Sequence, residues 1–333
     1  MRAAQWLAAA IGGLAILLIG AWLVLRVPDI PVATLRARYG GPPSQFVTVL
    51  PGLTVHLRDE GPRDAPVVML LHGSNASLLD WQAWTDRLKD RFRVVRFDLP
   101  AHGLTGADPG NDYSPRRSAD IVAAVADRLG IGHFVLAGNS MGGGIAARFA
   151  VSHPERLTGL ILVDAGGQPS TGPRDIPLAF RIADTPVLRD VVANITPRWL
   201  VANGVRGAVA DPAVIDERAI DRYWELLRYP GNRAATLQRF RQGYGSVAPA
   251  ELARIPIPTL ILWGRDDRFI PVASAAYFAR HLPHSRTMIY DHIGHLPMEE
   301  APDRSAADVA AFLATVTPAS PPTGVPSPRK PAR

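Results

Sequence analysis

The chain changes its hydrophobic rhythm several times, and each rhythm predicts a different element. From Ala3 to Leu25 only Gln5 is strongly polar, a run that would extend about 34 Å at helical rise. It predicts a transmembrane helix bracketed by Arg2 and Arg26, with Trp6 and Trp22 near its two ends, and residues 1–27 are read as an N-terminal anchor. The rival is a cleaved export signal, whose apolar region is usually about 7–15 residues and is followed by a small-x-small site, not found convincingly before Leu35. Arginines on both flanks leave the side of the membrane open. Residues 28–44, broken by proline and glycine, read as a linker.

Beyond the linker, "QFVTVL" and "TVHLRDE" alternate as half-buried strands do, joined by Pro51-Gly52 as a tight hairpin. "VVMLLH" is continuously apolar, the pattern of a strand covered on both faces of a parallel sheet. Helical and strand patterns then alternate: helix near Leu79–Asp90, strand "RVVRFD", helix near Pro115–Leu129, strand "FVLAG", helix from Met141 to about Val151, strand "LTGLILVD". Such alternation predicts right-handed βαβ units in a doubly wound, mostly parallel α/β sheet. The rhythm breaks after Ala165, where residues 166–250 read as a helical insertion with "DERAIDRYWELLRY" and "AATLQRFRQGY" its clearest pieces. It resumes over residues 251–316 with "PTLILWG", a helix near Ala273–His281, "RTMIYD" and a last helix near Pro302–Val316. The core is therefore expected in two parts, 45–165 and 251–316, interrupted by a cap at 166–250.

Charge alters this picture little. Of the net +6, residues 1–26 carry +2 and the tail 317–333 carries +3, which leaves +1 for the body and little support for a nucleic-acid partner. The tail, "TPASPPTGVPSPRKPAR", is too rich in proline to pack and reads as disordered. The absence of cysteine excludes disulfides, thiolate metal sites and a cysteine nucleophile.

The chemistry gathers at the carboxyl ends of the expected strands, where ligands of open α/β sheets bind. In "LAGNSMGGGIAARFA", Ser140 stands between strand and helix with Gly138 and Gly142 as second neighbours. A turn that sharp strains its central residue and brings strand and helix together, so side chains at the second neighbours would collide. The serine then presents its hydroxyl as a nucleophile, which needs a histidine base oriented by a carboxylate. His295, in "DHIGHLPMEEAP", follows the last strand on the same sheet edge and is the candidate base, with His292 the runner-up. Asp266 and Asp267 lie just past the strand in "LILWGRDDRFIP", and Asp164 is the alternative acid. The order Ser, Asp, His matches the order expected of such groups on a hydrolase sheet. For the oxyanion hole, the Met141 amide at a helix N-terminus is one donor and the Ser74 amide, after Gly73 in "LLHGSNAS", the other. Asn75 and Asn139 are candidates for contacting substrate, and Asn75 could add a side-chain donor.

With "HGSN" at 72–75, "FDLPAHGLT" at 97–105, "GNSMGG" at 138–143, "WGRDDRFIP" at 263–271 and "GHLPMEEAP" at 294–302, the chain resembles the α/β-hydrolase superfamily over about residues 45–316, specifically its cap-bearing serine hydrolases. The resemblance implies Ser140 as nucleophile, His295 as base and Asp267 as acid, because the family acid commonly lies four residues before the proline found here as Pro271. Asp98–Thr105 departs from the family's turn pattern at a position read as structural. Related dehalogenases and epoxide hydrolases carry an aspartate at the elbow, against which Ser140 argues. No cofactor or metal is expected. The implied activity is hydrolysis of a small-molecule, lipid-like carboxylic ester of apolar character through an acyl-enzyme, with membrane lipid a partner through the N-terminal helix. The alternatives are a carbon–carbon bond hydrolase of ring-cleavage products, an amidase or an acyltransferase, and, in another class, a ligand-binding protein with a decayed triad.

Overall fold

The computed structural model describes residues 2–169, 194–243 and 245–316. The tail expected to be disordered, and residues 170–193 and 244 of the expected cap, lie outside them.

The strands are β1 Ser44–Leu50, β2 Leu53–Glu60, β3 Val67–Leu71, β4 Arg93–Phe97, β5 Phe134–Asn139, β6 Leu157–Val163, β7 Thr259–Gly264 and β8 Ser285–Tyr290. They form one sheet in the order β1-β2-β4-β3-β5-β6-β7-β8. The hairpin β1–β2 is antiparallel and β2 joins β4 antiparallel; from β4 to β8 every pairing is parallel. Side chains of one strand alternate between faces, so the continuous apolar run of β3 divides. Met69 and Leu71 enter a core with Ile121, Val122, Phe149 and Phe278, while Val68 and Leu70 enter one with Trp81, Trp84, Val309 and Leu313. Burying each such side chain contributes roughly 1.5–3 kcal/mol relative to leaving it exposed, which is why the central strands read as unbroken hydrophobic segments.

The covering helices are α3 Gln82–Leu88, α4 Pro115–Arg128, α5 Met141–Ser152, α10 Ala273–His281 and α12 Pro302–Val316. The segment expected as one helix near Leu79–Asp90 starts as a 3₁₀ turn, Leu78–Trp81, whose N-cap Ser77 accepts a hydrogen bond from the Leu79 amide. Between β6 and β7 the described residues include helices α6 Arg198–Ala208, α7 Glu217–Leu227, α8 Asn232–Gln242 and the short α9 Pro249–Leu252, and α11 Pro297–Glu300 precedes the last helix.

Two expectations for the N-terminal region are corrected. Residues Arg2–Leu25 form helix α1, but among the described residues no helix is long and apolar enough to cross a membrane. The anchor and the membrane location expected from it are withdrawn. The linker, residues 28–44, is not loose either, for it contains helix α2, Val32–Tyr39, with Leu35 fully buried among Leu104 and Leu226. Tyr39 donates its hydroxyl to Glu225 at 2.8 Å, Arg38 pairs with the same carboxylate, and Asp29 pairs with Arg233 at 2.6 Å. The segment straps helices α7 and α8 to the body, and its single buried leucine was too weak a periodic signal to reveal it.

Candidate active site

Ser140 sits at φ +52°, ψ −116°, a conformation a non-glycine residue holds only where its surroundings impose it. Those surroundings are backbone. The Ser140 N–H donates to Val163 of β6 at 3.0 Å, and its carbonyl accepts from Gly144 at 3.1 Å and Gly166 at 2.8 Å. A Cβ on Gly138 would stand 2.2 Å from the Gly142 carbonyl oxygen, and one on Gly142 would stand 2.3 Å from that of Leu71. Helix α5 is thereby pressed against the ends of β3 and β5, and Met141 occupies its first turn, where N–H groups have no intrahelical acceptor.

The loop after β3 lies against this elbow. A Cβ placed on Gly73 would be 3.3 Å from that of Ser140 and 2.8 Å from the Asn139 side-chain oxygen. Ser74 and Asn75 follow directly and line the same cavity as Ser140. Asn139 also lines it, yet its amide nitrogen donates to the carbonyls of Val163 at 3.2 Å and His295 at 3.0 Å, which ties the loop after β8 to the elbow.

That loop brings His295 to the cavity. Its Nδ1 lies 2.7 Å from Asp267 Oδ2, and Asp267 Oδ1 accepts from the amides of Phe269 at 2.7 Å and Ile270 at 3.0 Å. With Nδ1 donating to a carboxylate, Nε2 is left as the basic nitrogen. Asp267 and His295 are both buried, and the Phe269 ring meets the imidazole edge-on at 5.4 Å between centroids. The neighbouring candidates are elsewhere: His292 is 96% exposed and 3.9 Å from Asp266, itself half exposed. Asp164, the alternative acid, is nonetheless close, since one ligand atom each of Asp164, Asp267 and His295 lie within 4.8 Å of one another. Burial first, then the charge of Asp267, drives the Asp164 carboxyl well above the usual carboxylate range, while its Oδ1 accepts from the Gly264 amide at 2.9 Å. Both causes favour the neutral form of Asp164.

Three groups at the site were not singled out in the sequence. Glu300 accepts from the amides of Gly294 at 2.9 Å, Leu296 at 3.3 Å and Ala210 at 2.7 Å, so one carboxylate gathers the histidine loop. The His295 N–H itself donates to the Ala208 carbonyl at the end of α6, at 2.7 Å. Arg239, on α8, donates to Ser74 Oγ at 2.8 Å. Glu300 lies in "GHLPMEEAP", which carries the family resemblance without assigning that residue a role, and Arg239 lies in "AATLQRFRQGY", which reads only as a helical piece of the insertion.

Above Ser140 and His295 opens a cavity of about 570 Å³, walled by Leu200, Val201, Val205, Leu227, Leu237 and Phe269. Arg233 also lines it, but its guanidinium is engaged by Asp29, Thr196 and the Val27 carbonyl. The opposite turn, Asp98–Thr105, is structural: Asp98 accepts from the amides of Leu78 and Leu104, both at 2.8 Å, and from His56 Nδ1 at 2.7 Å.

Comparison with known proteins agrees with this fold. The alpha/beta hydrolase fold family matches residues 66–302. Uncharacterized protein Rv2715 of Mycobacterium tuberculosis is 30% identical over 268 residues, 76% of this chain and 77% of that protein. A 2-hydroxy-6-oxononadienedioate/2-hydroxy-6-oxononatrienedioate hydrolase of Burkholderia vietnamiensis is 29% identical over 283 residues, 81% of this chain and 95% of its own. Among solved structures, a bacterial membrane phospholipase A is 26% identical with a TM-score of 0.71, covering 96% of this chain and 99% of that one.

Proposed function

The chain belongs to the α/β-hydrolase fold family, and from that premise we propose that it is a serine hydrolase of carboxylic esters with an apolar acyl part. The observation that carries this reading is the cavity of about 570 Å³ above Ser140 and His295, apolar in its walls and with its lining arginine already paired. Such a pocket gains free energy from burying a hydrocarbon chain, at about 25 cal/mol per Å² of apolar surface. A relative carrying phospholipase A activity by name, alike over nearly the whole chain, supports an ester substrate.

In this mechanism His295 Nε2 removes the Ser140 hydroxyl proton as Oγ attacks the ester carbonyl carbon. The carbonyl oxygen becomes an oxyanion, held by the amides of Met141 and Ser74. The tetrahedral intermediate collapses as the C–O bond to the alcohol breaks, and imidazolium returns the proton to the leaving oxygen. Water, deprotonated by the same nitrogen, attacks the acyl-enzyme and releases the acid and free serine. Asp267 holds the tautomer and stabilises the imidazolium. Helices α6, α7 and α8 serve as the cap that roofs the acyl pocket, with Asn75 also lining it.

A second reading, a carbon–carbon bond hydrolase of ring-cleavage products, has its own support: the Burkholderia vietnamiensis relative is named a 2-hydroxy-6-oxononadienedioate/2-hydroxy-6-oxononatrienedioate hydrolase. Steady-state profiling of p-nitrophenyl esters from acetate to decanoate, beside a 2-hydroxy-6-oxodienoate, separates the two. Ester hydrolysis is expected to dominate, with kcat/KM rising with acyl length until the pocket is filled. Turnover of the dienoate exceeding that of every ester would overturn the ester assignment.

A further inference from the structure

The serine nucleophile and its oxyanion hole leave one group near them unexplained. Arg239 projects from α8 into the body and is 3% exposed. Burial pushes its guanidinium down to about 9, so it is protonated at neutral pH. Its Nη2 donates to Ser74 Oγ at 2.8 Å and its Nη1 reaches Met141 Sδ at 3.1 Å. Ser74 and Met141 are the two residues whose amides are assigned to the oxyanion, one in the loop after β3 and the other at the start of α5. One planar cation from the cap touches both.

On that reading of the site, we propose that Arg239 is a positioning residue that sets the two oxyanion-hole donors in register, so that docking of α8 and assembly of the oxyanion hole are a single event. A guanidinium suits the task because its fork fixes two partners at once, in plane, where an ammonium would fix one point. Gly73 lies against Ser140, so a sub-ångström shift of Ser74 changes where its N–H points relative to the attacked carbonyl. The effect falls on the transition state, because the oxyanion exists only there. The cap is tied to the other half of the machinery too, through the Ala208 carbonyl that receives the His295 amide.

The test uses the full chain and an uncharged ester, p-nitrophenyl butyrate, so that no substrate carboxylate can be the lost partner. Removing an oxyanion donor outright costs about 10²- to 10³-fold in kcat; a misplaced donor should cost less. Arg239→Met is expected to lower kcat about 10- to 100-fold with KM within about 3-fold, to weaken a boronic-acid transition-state analogue by the same factor, and to leave a non-reactive ketone-free alkyl ether analogue bound as before. Arg239→Lys should restore part of the kcat loss. In a Ser74→Ala background, which keeps the amide but removes the hydroxyl acceptor, Arg239→Met should cost less than about 3-fold, since the coupling has gone. If Arg239→Met does not fold, Ser74→Ala alone carries the test and is expected to lower kcat with KM retained. Wild-type kcat in Arg239→Met, an equal loss in both backgrounds, or parallel losses of both analogues without rescue by lysine would overturn the proposal. Ser140→Ala distinguishes the deeper failure: if it keeps turnover, the serine reading falls and this inference with it, whereas an inactive Ser140→Ala beside unimpaired Arg239 variants refutes this inference alone.

Discussion

Replacement of Asp267 by asparagine tests the candidate triad most sharply, because the structure dictates how the new side chain must sit. Asp267 Oδ1 accepts two backbone N–H groups, from Phe269 and Ile270, and Oδ2 faces His295 Nδ1. In Asp267→Asn, the amide oxygen must stay on the two donors or lose both hydrogen bonds. At roughly 1 kcal/mol each these favour that orientation by about 2 kcal/mol, around thirtyfold. The amide nitrogen then faces Nδ1, makes it an acceptor and moves the imidazole proton to Nε2, the atom that has to take the serine proton. With loss of imidazolium stabilisation added, kcat should fall on the order of 10⁴-fold, the loss known for this substitution in a serine-protease triad. Stopped-flow or steady-state turnover of p-nitrophenyl butyrate measures it, with Asp266→Asn, an exposed neighbour, expected within about 3-fold of wild type. Removing the Asp267 charge also removes the second-largest cause that raises Asp164, so the Asp164 carboxyl drops toward the usual range while burial and the Glu300 charge still hold it high. Residual activity of Asp267→Asn should therefore climb with pH as Asp164 ionises, and disappear in the Asp164→Asn double variant. A loss smaller than about 10-fold in folded Asp267→Asn, or a larger loss in Asp266→Asn, would refute the reasoning.

Ser140→Ala should abolish labelling by a fluorophosphonate probe and leave only the small residual turnover that binding and the oxyanion hole sustain; persistent labelling at another residue, seen by peptide mapping, would move the nucleophile elsewhere. Leu35→Ala, which empties a fully buried site between α2, Leu104 and Leu226, should cost about 2–5 kcal/mol in denaturant unfolding, and an unchanged midpoint would mean that the N-terminal strap does not stabilise the fold. Asp80 is buried beside Tyr223, Arg222 and Glu299, and burial first, then the Glu299 charge, pushes its carboxyl up to about 7. A raised carboxyl stabilises the fold below its unfolded value near 3.9 and loses that contribution as pH rises toward 7, by up to about 1.36 kcal/mol per unit. Wild type should thus lose stability between pH 4 and 7 relative to Asp80→Asn, and parallel pH profiles for the two would contradict the assignment.

The sheet was legible because its central strands are covered on both faces: nothing but an unbroken apolar run such as "VVMLLH" or "GLILV" suits that environment. Ser140 was legible for a local reason as well, since the backbone approaches at Gly138 and Gly142 exclude any side chain there. The choice between Asp266 and Asp267 was not a matter of periodicity; spacing to Pro271 in the family resemblance singled out Asp267. What stayed hidden depends on contacts between distant segments. Arg239 and Ser74 are 165 residues apart, and an arginine in "RFRQ" on a polar helix gives no sign that it points inward. Helix α2 carries one buried leucine in eight residues between two prolines and a glycine pair, too little apolar surface for a helical period to register. The N-terminal run misled for the opposite reason, because hydropathy alone was taken to fix its surroundings.

The hydrogen bond from the His295 amide to the Ala208 carbonyl constrains how this protein can diversify. Leu200, Val205, Leu227 and Leu237 line the cavity, so exchanging them redraws the acyl pocket while the backbone hydrogen bond beneath the histidine is kept. Inserting or deleting a residue within Arg198–Ala208 displaces the very carbonyl on which the histidine loop rests. New substrate ranges are therefore reachable by substitution and closed to length change along α6, and a random library of the cap would yield active variants from the first kind of change far more often than from the second.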